Sequence, residues 1–327
     1  MNDSDVTALA AGVQAGERRA LAQAITLVES THPHDRPRAE ALLTTLMPHT
    51  GQAIRLGISG APGVGKSTFI EALGLYLLSL GQRLAVLAVD PSSQRTGGSI
   101  MGDKTRMELL SRELAAFIRP SPSGGNLGGV ASRTRESLLL CEAAGYDVVI
   151  VETVGVGQSE TAVAGMVDCF LLLQLPNAGD ELQALKKGVV ELADLVVVNK
   201  ADISPTAAAL AKSQFELALH LLRPVSGHWS PPVLTCSALH QQGLTAVWDT
   251  VMRHRAAITD GGDLPAKRAR QAVDWLWALV NEQLRQDFRR HPAVADALPR
   301  ISDAVSRGDL SPTVACRQLR ALYRPGE

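Results

Sequence analysis

The segment from residue 60 to residue 67 restricts the fold of this 327-residue chain more than any other feature. It reads Gly-Ala-Pro-Gly-Val-Gly-Lys-Ser, which matches GxxxxGK[ST], and it lies between an apolar run and a stretch with helical character. In that context the glycines let backbone N–H groups turn inward around phosphate oxygens, and the helix N-terminus adds partial positive charge. We expect Lys66 to contact the β- and γ-phosphates and Ser67 to bind Mg²⁺. The residues predicted to contact the nucleotide here are Gly60, Ala61, Pro62, Gly63, Val64, Gly65, Lys66, Ser67 and Thr68.

Strand-like and helix-like segments alternate through the middle of the chain. Short continuous apolar runs, typical of parallel strands buried on both faces, occur at 54–59, 84–89, 116–119, 147–152, 169–175, 194–199 and 233–236. Strands separated by helices predict an α/β fold with a doubly wound, mainly parallel sheet, which binds ligands at the carboxyl ends of its strands. We predict a helical N-terminal extension over 1–50, a nucleotide-binding domain over 51–262 and a helical C-terminal arm over 263–327.

Composition excludes several classes of protein. The apolar fraction of 46% allows a large core, and the net charge of −1 gives no reason to expect nucleic-acid binding. The chain begins with polar residues, and no apolar run reaches the ~18 residues that span a bilayer, so we expect a cytoplasmic protein without a membrane segment.

Four dispersed cysteines indicate buried free thiols. The basic run Lys267, Arg268 and Arg270 is interpreted as a solvated helix start.

The sequence Asn199-Lys200-Ala201-Asp202 directly follows an apolar run and matches the pattern NKxD. The carboxylate of Asp202 can accept hydrogen bonds from guanine N1–H and N2–H₂, whereas adenine would leave it unpaired at a cost of about 1–3 kcal/mol. The Lys200 stem is suited to cover the base. After the last strand, the backbone N–H groups of Ser237 and Ala238 are expected to meet guanine O6. The nucleotide is therefore predicted to be GTP or GDP.

Acidic residues that follow two strands are candidate ligands of Mg²⁺. Glu152 stands where many GTPases have Asp, and Gly155 follows three residues later with an N–H available for the γ-phosphate. Asp90 and Asp103 lie in or beside a segment rich in glycine and hydroxyl side chains. The alternatives are a capping role for Glu152 and ordinary loop chemistry for the two aspartates.

An apolar stripe marks the predicted C-terminal arm, with Val273, Leu276, Val280, Leu284 and Phe288 at helical spacing. The pattern alone is equally compatible with packing against the chain's own core and with a dimer interface.

Several motifs together resemble the MeaB/ArgK group of SIMIBI-class GTPases. They are the phosphate-binding loop, DPSS, GGSIMGDKTRM, ETVGVGQSE, LPNAGDELQALKKG and NKAD, and the resemblance extends over most of the chain. It implies a GTPase chaperone of an adenosylcobalamin-dependent acyl-CoA mutase, chiefly methylmalonyl-CoA mutase, which gates cofactor loading from an adenosyltransferase. It also implies a homodimer formed by C-terminal helices, and it places Lys66, Asp90, Asp103 and Glu152 around the phosphates and Mg²⁺.

The resemblance further makes the loop 176–188 a switch that responds to the mutase. Within it, Gln183 and Lys186 lie on one face if the segment is helical, so Lys186 is a candidate catalytic donor; the alternative is a solvated helix face.

Basal hydrolysis is expected to be slow, because Val156 occupies the position where many GTPases have glutamine. The alternative functions are a metal-insertion GTPase for a nickel enzyme and a kinase linked to amino-acid transport.

Overall fold

The sheet is built from apolar runs that match the sequence pattern to within one residue at each end. In the computed structural model, residues 3–89, 107–120, 127–153, 159–176, 187–221 and 229–324 are described. The strands are β1 Ile54–Gly60, β2 Leu84–Val89, β3 Ala116–Arg119, β4 Val148–Thr153, β5 Cys169–Gln174, β6 Leu195–Val198 and β7 Val233–Thr235. The predicted α/β class and the predicted parallel sheet are confirmed.

All neighbouring strands in the sheet run parallel, in the order β3-β2-β4-β1-β5-β6-β7. β1 lies between β4 and β5, with Ile58 beside Glu152 and Gly60 beside Leu173. Strands β1 to β4 form one half of the sheet, and strands β5 to β7 are added on the other side of β1. A crevice at the carboxyl ends of the central strands is therefore the expected ligand site.

Helices occupy both faces of the sheet and both ends of the chain. They are α1 Asp3–Gln14, α2 Arg18–Glu29, α3 Arg36–Leu46, α4 Lys66–Ser79, α5 Glu108–Arg112, α6 Leu127–Ala143, α7 Ser159–Ala164, α8 Lys187–Val190, α9 Pro205–Leu221, α10 Leu244–Asp260, α11 Asp263–Arg290, α12 Pro292–Ser306 and α13 Pro312–Tyr323. Among the described residues, no helix combines the length and the apolar character needed to cross a bilayer.

Alternate residues of each central strand belong to different core clusters. Leu84 and Val86 of β2 join the cluster that contains α4 and α10, whereas Ala85, Leu87 and Val89 join the cluster that contains α2 and α6. This division explains the continuous apolar runs, because a strand covered on both faces has no solvent-facing position.

The three N-terminal helices are part of the core on one face of the sheet. Leu21, Ile25, Leu42 and Leu46 are each fully buried in the cluster that also contains strand residues. The chain divides into two compact units, Met1–Gln271 and Ala272–Glu327. The first unit therefore contains both the N-terminal helices and the beginning of α11.

The basic run at the start of α11 is predicted to be solvated, and this interpretation is wrong for two of its three members. Arg268 Nη2 lies 2.7 Å from Asp168 Oδ2 and also donates to the carbonyl of Ala53 at 2.8 Å. Lys267 Nζ lies 2.6 Å from the Asp168 carbonyl. Arg270 is exposed. The acceptors lie about a hundred residues or more away in sequence, so a local charge pattern could not reveal them.

The cysteines confirm the expectation of buried thiols at three positions out of four. Cys141, Cys169 and Cys236 are buried, whereas Cys316 on α13 is exposed. Burial raises the pKa of the Cys169 thiol and raises the pKa of Cys236 to about 12, because a thiolate is poorly solvated in an apolar environment.

The second unit carries apolar side chains that its own residues leave uncovered. A small core forms around Ala297, Ile301 and Ala315. On α11, Leu276 is 56% exposed and Trp277 is 60% exposed.

Candidate nucleotide-binding site

The phosphate-binding loop connects β1 to α4, as the motif predicts. Gly63 and Gly65 have φ values of 80° and 91°, in the left-handed region that glycine adopts without strain. A Cβ on Gly60 would lie 2.6 Å from the carbonyl oxygen of Leu173, so only glycine fits beside β5 at this point. The loop therefore needs glycine for two reasons, its backbone conformation and the close approach of a neighbouring strand.

The Lys66 ammonium lies against the loop at the beginning of α4. Its Nζ donates to the carbonyls of Gly60 at 2.6 Å and Ala61 at 3.2 Å. This arrangement places a positive charge at the rim of the loop, where the helix N-terminus also favours an anion.

The Asn199 side chain connects the NKAD segment to the phosphate-binding loop. Its Nδ2 donates to the Val64 carbonyl at 2.9 Å, and its Oδ1 accepts from the Ala238 N–H at 3.1 Å. A Cβ on Gly65 would lie 2.9 Å from the same Nδ2. Lys200 adds a second connection, since its Nζ donates to the Gly63 carbonyl at 2.8 Å. The two predicted nucleotide-binding segments are thus brought together by direct hydrogen bonds.

The Asp202 carboxylate lies at the edge of this arrangement, with its side chain 21% exposed. A hydrogen bond from the Ser237 side chain lowers the pKa of Asp202, so the carboxylate stays ionised throughout the neutral range. His240 Nε2 lies 3.7 Å from Asp202 Oδ2, and the His240 N–H donates to Ser237 Oγ. An ionised, partly exposed carboxylate is what recognition of the guanine N1–H and N2–H₂ edge requires.

The backbone N–H groups of Ser237 and Ala238 have protein acceptors. Ser237 N–H donates to the Gln242 carbonyl at 3.0 Å, and Ala238 N–H donates to Asn199 Oδ1. Contact with guanine O6 therefore requires the Ala238 N–H to be shared with, or moved from, the Asn199 oxygen. The side chain of Ser237 makes a hydrogen bond to Asp202 that the sequence does not predict, and the predicted contact of its N–H with guanine O6 stays a prediction.

Oxygen-bearing side chains lie at the carboxyl end of β4. Glu152 is 4% exposed and pairs in register with Ile58 of β1. The hydroxyls of Ser59 and Thr153 lie 2.9 Å apart and link β1 to β4. Ser67 is in the first turn of α4. Hydroxyl and carboxylate oxygens are the ligands that Mg²⁺ prefers, so this donor set fits the predicted metal.

The family that this geometry represents is shown by comparison with known proteins. Residues 21–293 match the family described as methylmalonyl-CoA mutase-associated GTPase MeaB. The chain belongs to the MeaB family of GTPases. The resemblance inferred from the motifs is thereby confirmed.

Relatives of this MeaB-family chain match it over nearly its whole length. A putative GTPase of Caulobacter vibrioides is 54% identical, covering 98% of both chains. The methylmalonic aciduria type A homolog, mitochondrial, of Mus musculus is 47% identical, covering 98% of this chain and 80% of the mouse protein. A solved structure described as LAO/AO transport system kinase is 43% identical, covers 99% of both chains and has a TM-score of 0.79.

Several residues predicted for the MeaB-family site lie outside the described residues. They are Asp90, Asp103, Gly155 and Lys186. Their roles at the metal and the γ-phosphate stay predictions, as do the roles of Ser67 and Glu152.

The structure also adds residues that the motifs do not identify. His240 faces Asp202, and the Ser59 hydroxyl joins β1 to β4 by its bond to Thr153, which lies within the ETVGVGQSE motif. Their neighbours in sequence give no signal for these contacts, although the position of Ser59 immediately before the Gly60 motif could have singled it out.

Proposed function

We propose that this MeaB-family chain binds GTP with Mg²⁺ and hydrolyses it to GDP and phosphate. The observation that carries the proposal is the pair of hydrogen bonds from Asn199 and Lys200 to the phosphate-binding loop. These bonds fix the distance between the phosphate-binding loop and the carboxylate of Asp202, and a guanine nucleotide needs contacts at both ends.

Each protein group has a defined task in this proposal. Lys66 stabilises charge that develops on the transferred phosphoryl group, while the loop N–H groups hold the β-phosphate. Ser67 and Glu152, with Asp90 and Asp103, would hold the metal, which supplies further neutralisation of phosphate charge when bound. Glu152 also orients the attacking water, and Asp202 selects guanine.

We propose further that the chain is a chaperone for an adenosylcobalamin-dependent acyl-CoA mutase, with methylmalonyl-CoA mutase as the expected partner. The family description names this mutase, and the mouse relative is named after methylmalonic aciduria. The chaperone gates loading of the cofactor from an adenosyltransferase and protects the mutase. The loop 176–188 is its switch, and Lys186 is the donor that the mutase moves toward the γ-phosphate.

A homodimer formed through the arm is the third part of the proposal. Val273, Leu276, Trp277 and Leu284 of α11 are each more than half exposed. A second copy of the chain would remove this apolar surface from water, which an isolated helix cannot do.

Slow basal turnover and activation by the mutase are proposed because the chain lacks glutamine at the position where many GTPases use it. Val156 stands where many GTPases orient water with glutamine. A group supplied on partner binding increases the rate by ~10³–10⁵ in other phosphoryl-transfer enzymes.

Phosphate release from GTP tests the hydrolysis proposal. We expect slow turnover by the native chain, none by Lys66→Ala with native circular dichroism, and acceleration by purified methylmalonyl-CoA mutase. Native turnover by the folded Lys66→Ala variant contradicts the site. Mutase that binds without changing native turnover contradicts activation, and full activation of Lys186→Ala contradicts only the named donor.

A kinase is the second candidate function, because the solved relative at 43% identity is described as a transport system kinase. The same assay separates the two functions, since γ-labelled GTP yields free phosphate in hydrolysis but labelled protein in a kinase reaction. Label that accumulates on a protein acceptor would favour the kinase.

A further inference from the structure

Gln271 is bound to the connection between α7 and β5, residues 164–168, which we name the 164–168 corner. Among the residues of α11, all of which the structure describes, Gln271 alone is buried. Its Nε2 donates to the carbonyls of Val167 at 2.9 Å and Ala164 at 3.3 Å. Arg135 of α6 bridges the same two segments, with Nη1 donating to the Gln271 carbonyl at 2.7 Å and Nη2 to the Gly165 carbonyl at 2.5 Å.

The preceding turn of α11 is bound to the same corner by charged groups. Arg268 makes a bidentate ion pair with Asp168, at 2.7 and 2.8 Å, and Lys267 donates to the Asp168 carbonyl. The Asp168 side chain is 4% exposed. Bidentate arginine–carboxylate pairs fix geometry as well as charge, so the corner is held rigidly by the beginning of α11.

α7 is packed closely against the strand that leads into the phosphate-binding loop. A Cβ on Gly57 of β1 would lie 2.9 Å from methyl carbons of both Val163 and Val167, and Gly57 is thus the residue that lets α7 approach. In such close packing a displacement of α7 displaces its neighbours, because interiors are dense and transmit strain.

The connection that contains α7 runs from the carboxyl end of β4 back to the amino end of β5. β4 and β5 both run parallel to β1, so the chain must return from the nucleotide end of β4 to the amino end of β5. α7 follows residues 154–158 in the sequence, and Gly155 in that stretch is predicted to meet the γ-phosphate. The beginning of α11 therefore holds the 164–168 corner, which lies at the end of α7, downstream in the chain of the predicted phosphate contact at Gly155.

We propose that Gln271 is a positioning residue for GTP hydrolysis, which couples the beginning of the arm helix to α7 through the 164–168 corner. The proposal rests on the proposed GTPase function. α11 continues into the second unit, where its apolar side chains are exposed, so a partner that binds the arm acts on the helix that holds the corner.

Two variants loosen the corner without introducing a charge. Gln271→Met keeps the length of the side chain but removes both amide hydrogen bonds. Arg135→Lys keeps the positive charge but cannot bridge Gln271 and Gly165 with a planar fork. Gln283→Ala is the matched control, because the amide of Gln283 donates to Asp287 within α11 itself.

Steady-state GTP turnover of the full-length variants is the test, with folding checked by circular dichroism and mass by light scattering. We expect kcat to fall about 3- to 30-fold in both corner variants, the range that single changes in a coupling network produce, with KM for GTP within about twofold. Hydrogen exchange in residues 159–168 should become faster in the variants, whereas Gln283→Ala should match the native chain in every measurement.

The outcomes separate this inference from the proposed function. Native kcat in both folded corner variants overturns the coupling and leaves the GTPase intact. Parallel loss of kcat and GTP affinity also overturns it, because that result describes general damage to the site. No turnover by the native chain overturns the GTPase and the coupling together.

Discussion

The side-chain amide of Asn199 donates a hydrogen bond to the carbonyl of Val64 across 2.9 Å, and so ties the base-recognition segment to the phosphate-binding loop. Asn199 is 1% exposed, and its other end accepts from the Ala238 N–H. The bond brings together two motifs that lie far apart in the sequence, which the proposed binding of one nucleotide by both requires.

Asn199→Ala should weaken both folding and nucleotide binding. It leaves the Val64 carbonyl and the Ala238 N–H without their partner, which should cost about 1–3 kcal/mol in unfolding free energy. We expect GDP affinity to fall at least about tenfold, or about 1.4 kcal/mol. Urea unfolding and titration calorimetry measure the two effects, with the exposed Asn281→Ala on α11 as the control. Unchanged GDP affinity would show that the tie does not position the ligand.

Asp202→Asn should change base preference while leaving the fold intact. The native chain should prefer GDP over ADP by at least about 100-fold, or about 2.7 kcal/mol, because adenine leaves the carboxylate unpaired. The variant should lose GDP affinity and gain affinity for xanthosine diphosphate. The hydrogen bond from Ser237 lowers the pKa of Asp202, so this recognition should be constant at neutral pH and disappear only as pH falls through that lowered pKa. Equal affinities for GDP and ADP in calorimetry would be incompatible with this role.

Sequence reasoning predicts the sheet and the position of the Gly60 to Ser67 loop between β1 and α4 correctly, for a common physical reason. Buried parallel strands are continuous apolar runs, and the glycines of the Gly60 to Ser67 loop are required by its backbone, so both are encoded locally. The partners of Lys267 and Arg268 were missed because ion pairs between distant segments depend on how the elements assemble. The exposed stripe of α11 lies between these cases, since its spacing predicts a helix but does not reveal what covers it.

Arg268 should be far more important for stability than its neighbour Arg270. Arg268→Met leaves the buried Asp168 carboxylate without its cation, and breaking a buried pair typically costs about 3–5 kcal/mol. Arg270→Met removes an exposed charge from the same helix and should change the unfolding free energy by less than about 0.5 kcal/mol. Urea denaturation of the two variants provides the comparison, and equal stabilities would contradict the importance of the pair.

Glu136 on α6 should make folding stability decrease between about pH 4.5 and pH 7. Burial raises the pKa of this carboxyl to about 7, a rise that Glu40 reinforces and that Arg133 and Arg36 only partly offset. The folded chain therefore keeps a proton that the unfolded chain loses above its ordinary pKa of 4.5, and stability falls until the pH passes about 7. Glu136→Gln should flatten this dependence and stabilise the chain at about pH 8 by about 1–3 kcal/mol. Parallel stability curves for native and variant chains across this range would refute the assignment.

Trp277→Glu should separate the proposed dimer. The indole is 60% exposed on α11, and a carboxylate there would oppose burial against a second copy. Light scattering at micromolar concentration should give about twice the 34.7 kDa chain mass for the native protein and the single-chain mass for the variant. Asn281→Ala on the same helix should remain dimeric. A native chain that is already monomeric would remove the basis of the dimer proposal.

The unequal burial of the cysteines gives this protein a built-in attachment point for a probe. Thiol-reactive dyes and spin labels need an accessible thiol that can ionise, and the buried Cys141, Cys169 and Cys236 offer neither. Cys316 is exposed on α13, within the second compact unit. A maleimide should therefore modify the native chain at one place, and if two copies associate as proposed, pulsed electron paramagnetic resonance between their labels would measure the distance between the two arms without any engineered substitution.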